Sequence, residues 1–165
     1  MTIKHLIDSL HLVPEIEPGE RILDIGSGAG FPALVLAIVR PDCLVSSIDA
    51  VGKKISFQKH ISRLLKLENI EPLHGRVELL AVDRPGGFNL VTSRAFSSLE
   101  LFVKLAAPLV SANGRMISMR GADGEQETLS LRESITATGF VVEPTVNYCL
   151  PMKMGERSLV IMRKH

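Results

Sequence analysis

The sequence predicts an α/β fold with a seven-stranded, mostly parallel sheet and helices on both of its faces. Two observations carry this expectation. Short apolar runs alternate with stretches of helical periodicity along most of the chain. A glycine-rich turn also follows the first apolar run directly, and an acid closes the second. The 165 residues suit one domain, 1–165, whose residues 1–14 form a short N-terminal helix.

Taken in order, an amphipathic helix is expected from Ile3 to Val13, stopped by Pro14. Arg21 to Ile25 is the first strand, and the nearly all-apolar Leu34 to Val39 is a short helix. Leu44 to Ile48 is the second strand. A helix from Lys53 to Leu67 places Phe57, Ile61, Leu64 and Leu65 on one inward face. Asn69 to Leu73 is the third strand, with a helical turn around Val77 to Leu80. Phe88 to Thr92 is the fourth, and Ser97 or Ser98 caps a helix that turns Leu99, Phe102, Val103, Ala106 and Leu109 inward. Arg115 to Met119 is the fifth, followed by a helix from Glu125 to Ala137. Phe140 to Leu150 and Glu156 to Arg163 close the sheet as an antiparallel pair.

Composition narrows the class. Hydrophobic residues are 45% and charged residues 22%, a globular balance. Aromatics are only 4%, which disfavours a surface built to stack several bases. The formal net charge of +1 neither points to nucleic acid nor excludes it. Cys43 and Cys149 form no metal-ligand pattern and read as buried free thiols. No apolar run reaches membrane-spanning length, and the N-terminus lacks a signal-peptide core, so a cytoplasmic protein without metal is expected.

The turn reads Asp24-Ile25-Gly26-Ser27-Gly28-Ala29-Gly30-Phe31. Glycines let backbone approach a ligand closely, and the helix beyond is expected to offer free N–H groups. A dinucleotide fingerprint is G-x-G-x-x-G with a pyrophosphate on that helix end. Here the spacing is G-x-G-x-G, and Pro32, which has no N–H, stands where the helix begins. A compact ligand fits better than a diphosphate. Asp49, at the end of the second strand, is placed to accept hydrogen bonds from ribose hydroxyls, or else to cap the following helix.

Several elements stand in matching order with a known family: Lys4-His5-Leu6-Ile7-Asp8-Ser9-Leu10, the Asp24 to Pro32 loop, and Asp49 with Gly52-Lys53-Lys54. Arg76-Val77-Glu78, Ser93-Arg94-Ala95-Phe96 and Met119-Arg120-Gly121 follow. Together they resemble the RsmG family, the bacterial 16S ribosomal RNA guanine-N7 methyltransferases also called glucose-inhibited division protein B. The resemblance covers nearly the whole chain. It implies a Rossmann-like class I methyltransferase fold, S-adenosylmethionine as donor, and N7 of one guanine in 16S ribosomal RNA, or in the 30S subunit, as acceptor. It also implies donor contacts from Gly26, Phe31, Val77, Glu78 and Arg94, with Val77 and Glu78 against the adenine; Gly28, Gly30 and Asp49 join them from the reading of the glycine turn and the end of the second strand. The family carries further helices ahead of the His5-x-x-Asp8-Ser9 element, so a shortened form is expected. Ala33 and Arg120 stand where the family favours glycine and lysine.

Guanine N7 carries a lone pair and no proton, so methyl transfer to it requires no general base. No catalytic residue is assigned, and positioning is expected to dominate. The Ser93-Arg94-Ala95-Phe96 element replaces the Asp/Asn-Pro-Pro-aromatic element of exocyclic-amine methylation. Neither cysteine lies near the fourth or fifth strand, as carbon methylation would need. Arg94 can pair with a carboxylate or phosphate, or serve as a structural ion pair. His5, Asp8 and Ser9 read either as pocket-mouth residues or as an exposed helix face. Lys59, Arg63 and Lys66 read as a solvated face, whereas Lys53, Lys54 and Arg120 are candidates for RNA phosphate contact. Small-molecule methyl transfer, nicotinamide-dependent oxidoreduction and non-catalytic RNA binding remain as alternatives.

Overall fold

The computed structural model describes residues 2–94, 96–152 and 154–165. Ala95 of the Ser93-Arg94-Ala95-Phe96 element, with Met1 and Lys153, lies outside the described residues. Five parallel strands form the sheet: β1 (Arg21–Ile25), β2 (Leu44–Asp49), β3 (Ile70–His74), β4 (Phe88–Arg94) and β5 (Val110–Arg120). Antiparallel strands β6 (Phe140–Val142), β7 (Val146–Cys149) and β8 (Glu156–Lys164) complete it. The order is β3-β2-β1-β4-β5-β8-β6, with β7 also paired to β8.

The sheet therefore has eight strands, not seven. The expected Phe140 to Leu150 strand divides between Val142 and Val146, and β6 and β7 pair with opposite ends of β8. Pro144 sits in the gap, where a residue without an N–H cannot continue the ladder.

The helices are α1 (Thr2–Leu10), α2 (Ala33–Val39), α3 (Gly52–Leu64), α4 (Val77–Asp83), α5 (Leu99–Ala106) and α6 (Gly124–Ala137). Helix α1 ends before the expected Val13, and Pro14 instead lies in a 3-10 turn, Val13–Glu15. Strand alternation divides the core. Leu23 and Ile25 join Leu99, Phe102 and Val103 of α5, while Ile22 joins Leu36 and Ala37 of α2. Phe102 is fully buried, a burial that contributes about 2–3 kcal/mol. Ser98 accepts the Leu101 N–H at 3.1 Å, so it is the cap of α5.

Helix α3 departs from its hydrophobic pattern. Phe57 and Leu64 are 48% and 67% exposed, Leu65 is also exposed, and the buried residues are Ile55, Gln58 and Ser62. The reason is polar. Gln58 reaches inward to three hydrogen-bond partners, which an inward Phe57 stripe would displace. Cys43 is a buried free thiol as expected, but Cys149 is exposed.

Strand order reverses between β1 and β4. Crevices for ligands in such sheets open there, at the carboxyl ends of the strands.

Candidate functional site

The turn after β1 is held from several sides. Gly26 N–H donates to the Ile48 carbonyl at 2.9 Å, tying it to the end of β2. Gly28 N–H donates to Asp49 Oδ2 at 3.0 Å, and Val51 N–H donates to Asp49 Oδ1 at 2.8 Å. Gln58 Nε2 donates to Ser27 Oγ at 2.7 Å and to the Gly28 carbonyl at 2.8 Å, while Ser47 Oγ donates to Gln58 Oε1 at 2.6 Å. Gly26, Gly28 and Gly30 all have positive φ, at 67°, 57° and 93°.

The three glycines do different work. A Cβ on Gly28 would meet nothing within 4 Å, and one on Gly26 would sit 3.6 Å from the Phe96 ring. Those two leave the turn open. A Cβ on Gly30 would lie 2.4 Å from Leu34 Cδ1, so Gly30 is needed for packing inside the protein.

The helix beyond offers less than expected. Ala33 N–H donates to Asp24 Oδ2 and Leu34 N–H to the Gly30 carbonyl. These N–H groups are therefore spent internally and not free. Asp24 is fully buried, and its Oδ1 has no partner among the described residues. Burial pushes its pKa well above the ordinary carboxylate value, against the Ala33 hydrogen bond and the charge of Arg94.

A cleft of about 260 Å³ lies over the ends of β1 and β2. It brings together Gly26, Asp49, Val77 and Glu78 from the expected donor set. Phe96 and Arg76 also line it. Each Asp49 oxygen holds one backbone N–H, and a carboxylate has roughly four acceptor positions, so it retains capacity for two hydroxyls. Asp49 therefore braces the turn and the start of α3 with acceptor capacity to spare. The cap position itself, Val51, makes no side-chain capping bond. An open glycine turn, a carboxylate with spare acceptors and a flanking aromatic ring fit an adenosine-bearing donor.

Phe31 and Arg94 lie elsewhere. The Arg94 guanidinium sits 5.6 Å from the centre of the Phe31 ring, and the His5 ring lies 5.8 Å from it. Arg94 Nη1 donates to His5 Nδ1 at 2.5 Å. Arginine can only donate, so this His5 nitrogen carries no proton. Burial, then the Arg94 charge, lowers the His5 pKa below its ordinary 6.5.

His5 and Arg94 line a second cleft, about 420 Å³, with Lys4, Asp8, Arg120 and Arg157. Asp8 is buried and accepts a hydrogen bond from the Tyr148 hydroxyl at 2.5 Å, and His11 stacks on the Tyr148 ring at 3.9 Å. Burial, then the Asp8 hydrogen bond, raises the Tyr148 pKa. Four cations thus rim a cleft whose carboxylate is already engaged. Arg94 is half-buried with no carboxylate ion-pair partner among the described residues. Such a cation calls for an anionic partner.

Of the three candidates for phosphate contact, Lys53 and Lys54 are exposed at the start of α3, with Lys54 3.8 Å from Asp49. Arg120 is committed internally: Nη1 donates to the Phe96 carbonyl at 2.8 Å, and Nη2 pairs with Glu127. Arg120 thereby fixes the segment that carries Phe96 over Gly26. Gln58, Phe96, Glu127 and Tyr148 were not singled out from sequence. Gln58 and Tyr148 carry no local motif, and Phe96 was visible only as part of one.

A further hollow of about 420 Å³, lined by Arg21, Asn69, Glu71 and Arg84, lies at the amino ends of the strands, away from the crevice. Among the described residues, no group of three His, Cys, Asp or Glu could hold a metal, and no helix is long and apolar enough to cross a membrane.

Residues 1–159 match the family described as rRNA small subunit methyltransferase G. Ribosomal RNA small subunit methyltransferase G of Syntrophotalea carbinolica is 42% identical, over 98% of this chain and 75% of its own length. That of Burkholderia ambifaria is 43% identical over 97% and 70%. Among solved structures, a SAM-dependent methyltransferase from Aquifex aeolicus superposes with a TM-score of 0.72 at 16% identity, covering 96% of this chain and 90% of the other. TYW2 of M. jannaschii, in complex with AdoMet, gives 0.74 at 14% identity, over 97% and 74%. The architecture is thus the Rossmann-like methyltransferase fold.

Proposed function

Because this chain belongs to the rRNA small subunit methyltransferase G family, a SAM-dependent methyltransferase of small-subunit ribosomal RNA, we propose that its acceptor is N7 of a guanine in 16S ribosomal RNA, at the family's position 527, methylated by direct in-line transfer. The donor supplies an electrophilic sulfonium methyl. Gly26 and Gly28 leave room for it, Asp49 takes the ribose hydroxyls, and Val77 and Glu78 flank the adenine. Arg94, in the second cleft, can hold an anionic group there.

The observation that carries the reading is the pair of clefts. A recess at Gly26 and Asp49 and a cation-rimmed cleft at Arg94 both open at the carboxyl ends of the parallel strands, and the Arg120–Phe96 bond links their linings. A polyanionic acceptor suits the second cleft. Attack by the N7 lone pair needs no general base. The protein's contribution is placement: Phe96, held by Arg120, closes one side, and α1, pinned through Asp8 to Tyr148, closes the other.

The test is incubation with labelled donor and unmodified 16S ribosomal RNA or 30S subunits, followed by mass mapping and borohydride–aniline cleavage, which is selective for N7-methylguanine. One cleavable guanine is expected. Label on an exocyclic amine, or on no RNA while metabolites are labelled, would overturn the assignment.

A further inference from the structure

Between Asp49 and Glu68 the chain has no acidic residue, yet it carries Lys53, Lys54, Lys59, Arg63 and Lys66. That is +5 within a chain whose formal net charge is +1, so the remainder sums to −4. The positive charge is concentrated on α3 and its C-terminal end, and all five side chains are exposed. Lys54 is 3.8 Å from Asp49, and the other four form no ion pair among the described residues.

The apolar residues on this helix deepen the observation. Lys53, Phe57, His60 and Leu64 follow at spacings of four, three and four, one stripe along the helix. Lys59 and Arg63 lie further round the helix. Phe57 and Leu64 project from this stripe into solvent, and Phe57 is bracketed by Lys53 and Lys54 at four and three residues before it. The stripe spans about 16 Å, and α3 begins three residues beyond Asp49, at the edge of the first cleft.

We propose that the outer face of α3 is an RNA-docking surface, distinct from both clefts, on which Phe57 stacks an unpaired base while Lys53, one turn before it, holds an adjacent phosphate. This rests on the ribosomal-RNA reading above. Phosphate is the complement to a segment with five cations and no acid, and an aromatic ring among them accepts any base face. A purely apolar protein partner would instead have to bury those cations unpaired, which is costly.

The test uses the chain with in vitro transcribed small-subunit ribosomal RNA in a salt series. Two variants are compared, Lys53→Glu and Phe57→Ala. Both side chains are exposed, and thermal melting with a donor titration checks that fold and donor affinity persist. Lys53→Glu should lower the slope of log affinity against log salt by about 0.7, the value per single-strand phosphate. Phe57→Ala should weaken binding about 5- to 150-fold with the slope kept. If the wild-type chain binds RNA and both variants match it, the docking face is overturned alone. If the wild type binds no RNA, the ribosomal-RNA reading falls and takes this one with it. Loss of self-association in Phe57→Ala, with RNA affinity unmoved, would make the face a protein contact and overturn the proposal.

Discussion

Gln58, from the middle of α3, donates to the carbonyl of Gly28 at 2.8 Å, and this bond couples the glycine turn to a helix on the other side of β2. The same side chain satisfies the buried hydroxyls of Ser27 and Ser47. Gln58→Leu would leave all three groups without their partner. Expected losses are about 2–4 kcal/mol of stability, read by denaturant melting, and weaker donor binding. Unchanged donor affinity in a folded Gln58→Leu protein would show that the turn keeps its shape unaided.

Gly28 and Gly30 should respond differently to alanine. Both have positive φ, but only Gly30 has a side chain in the way of a Cβ, that of Leu34. Gly28→Ala should cost about 1–2 kcal/mol, the left-handed penalty alone. Gly30→Ala should cost that plus about 1–3 kcal/mol of overpacking. Equal unfolding midpoints for the two variants would contradict this division of roles.

Asp49→Ala removes the proposed ribose acceptor and the bonds from Gly28 and Val51. Lost charge-assisted hydrogen bonds of about 1.5–3 kcal/mol predict a donor affinity about 10- to 150-fold weaker. Asp49→Asn keeps one acceptor oxygen and should fall between. Calorimetric titration with S-adenosylhomocysteine reads both, and wild-type affinity in Asp49→Ala would remove the ribose role.

The His5–Arg94 contact predicts acid sensitivity. The folded protein lowers the His5 pKa from 6.5, so the unfolded chain takes up the proton first. The neutral-imidazole contribution is therefore present above pH 6.5 and is lost as pH falls through the lowered folded value. Protonation also takes away the acceptor for Arg94 Nη1, loosening α1 from the second cleft. Acceptor KM should rise on the acid side, and His5→Gln, which keeps an acceptor but does not titrate, should flatten that limb. A His5→Gln profile identical to wild type would dismiss the contact as the cause.

Much of the architecture was legible in the chain itself. Arg21–Ile25 was read to the residue, and of the five apolar side chains read as inward α5 buries four while the 3-10 turn after it buries Leu109. Local rules sufficed because apolar periodicity and turn residues act over a few neighbours. The G-x-G-x-G spacing and Asp49 located the first cleft for the same reason: the turn and the strand end both follow β-strands that periodicity identifies.

Tertiary structure decided what depends on distant partners. The rotation of α3 was set by Gln58 finding Ser27, Ser47 and Gly28, which outweighed the stripe of Phe57 and Leu64. Arg94 lines the second cleft against His5, 89 positions away, and Arg120 was taken up by Phe96 and Glu127. The second cleft needs Lys4, Asp8, Arg94 and Arg157 together, from both ends of the chain and its middle. Hydrophobic period is a property of neighbours in sequence. A buried polar group instead takes whichever partner the folded chain brings within about 3 Å, so sequence determined the scaffold and the glycine turn, while long-range hydrogen bonding decided which side chains face the clefts.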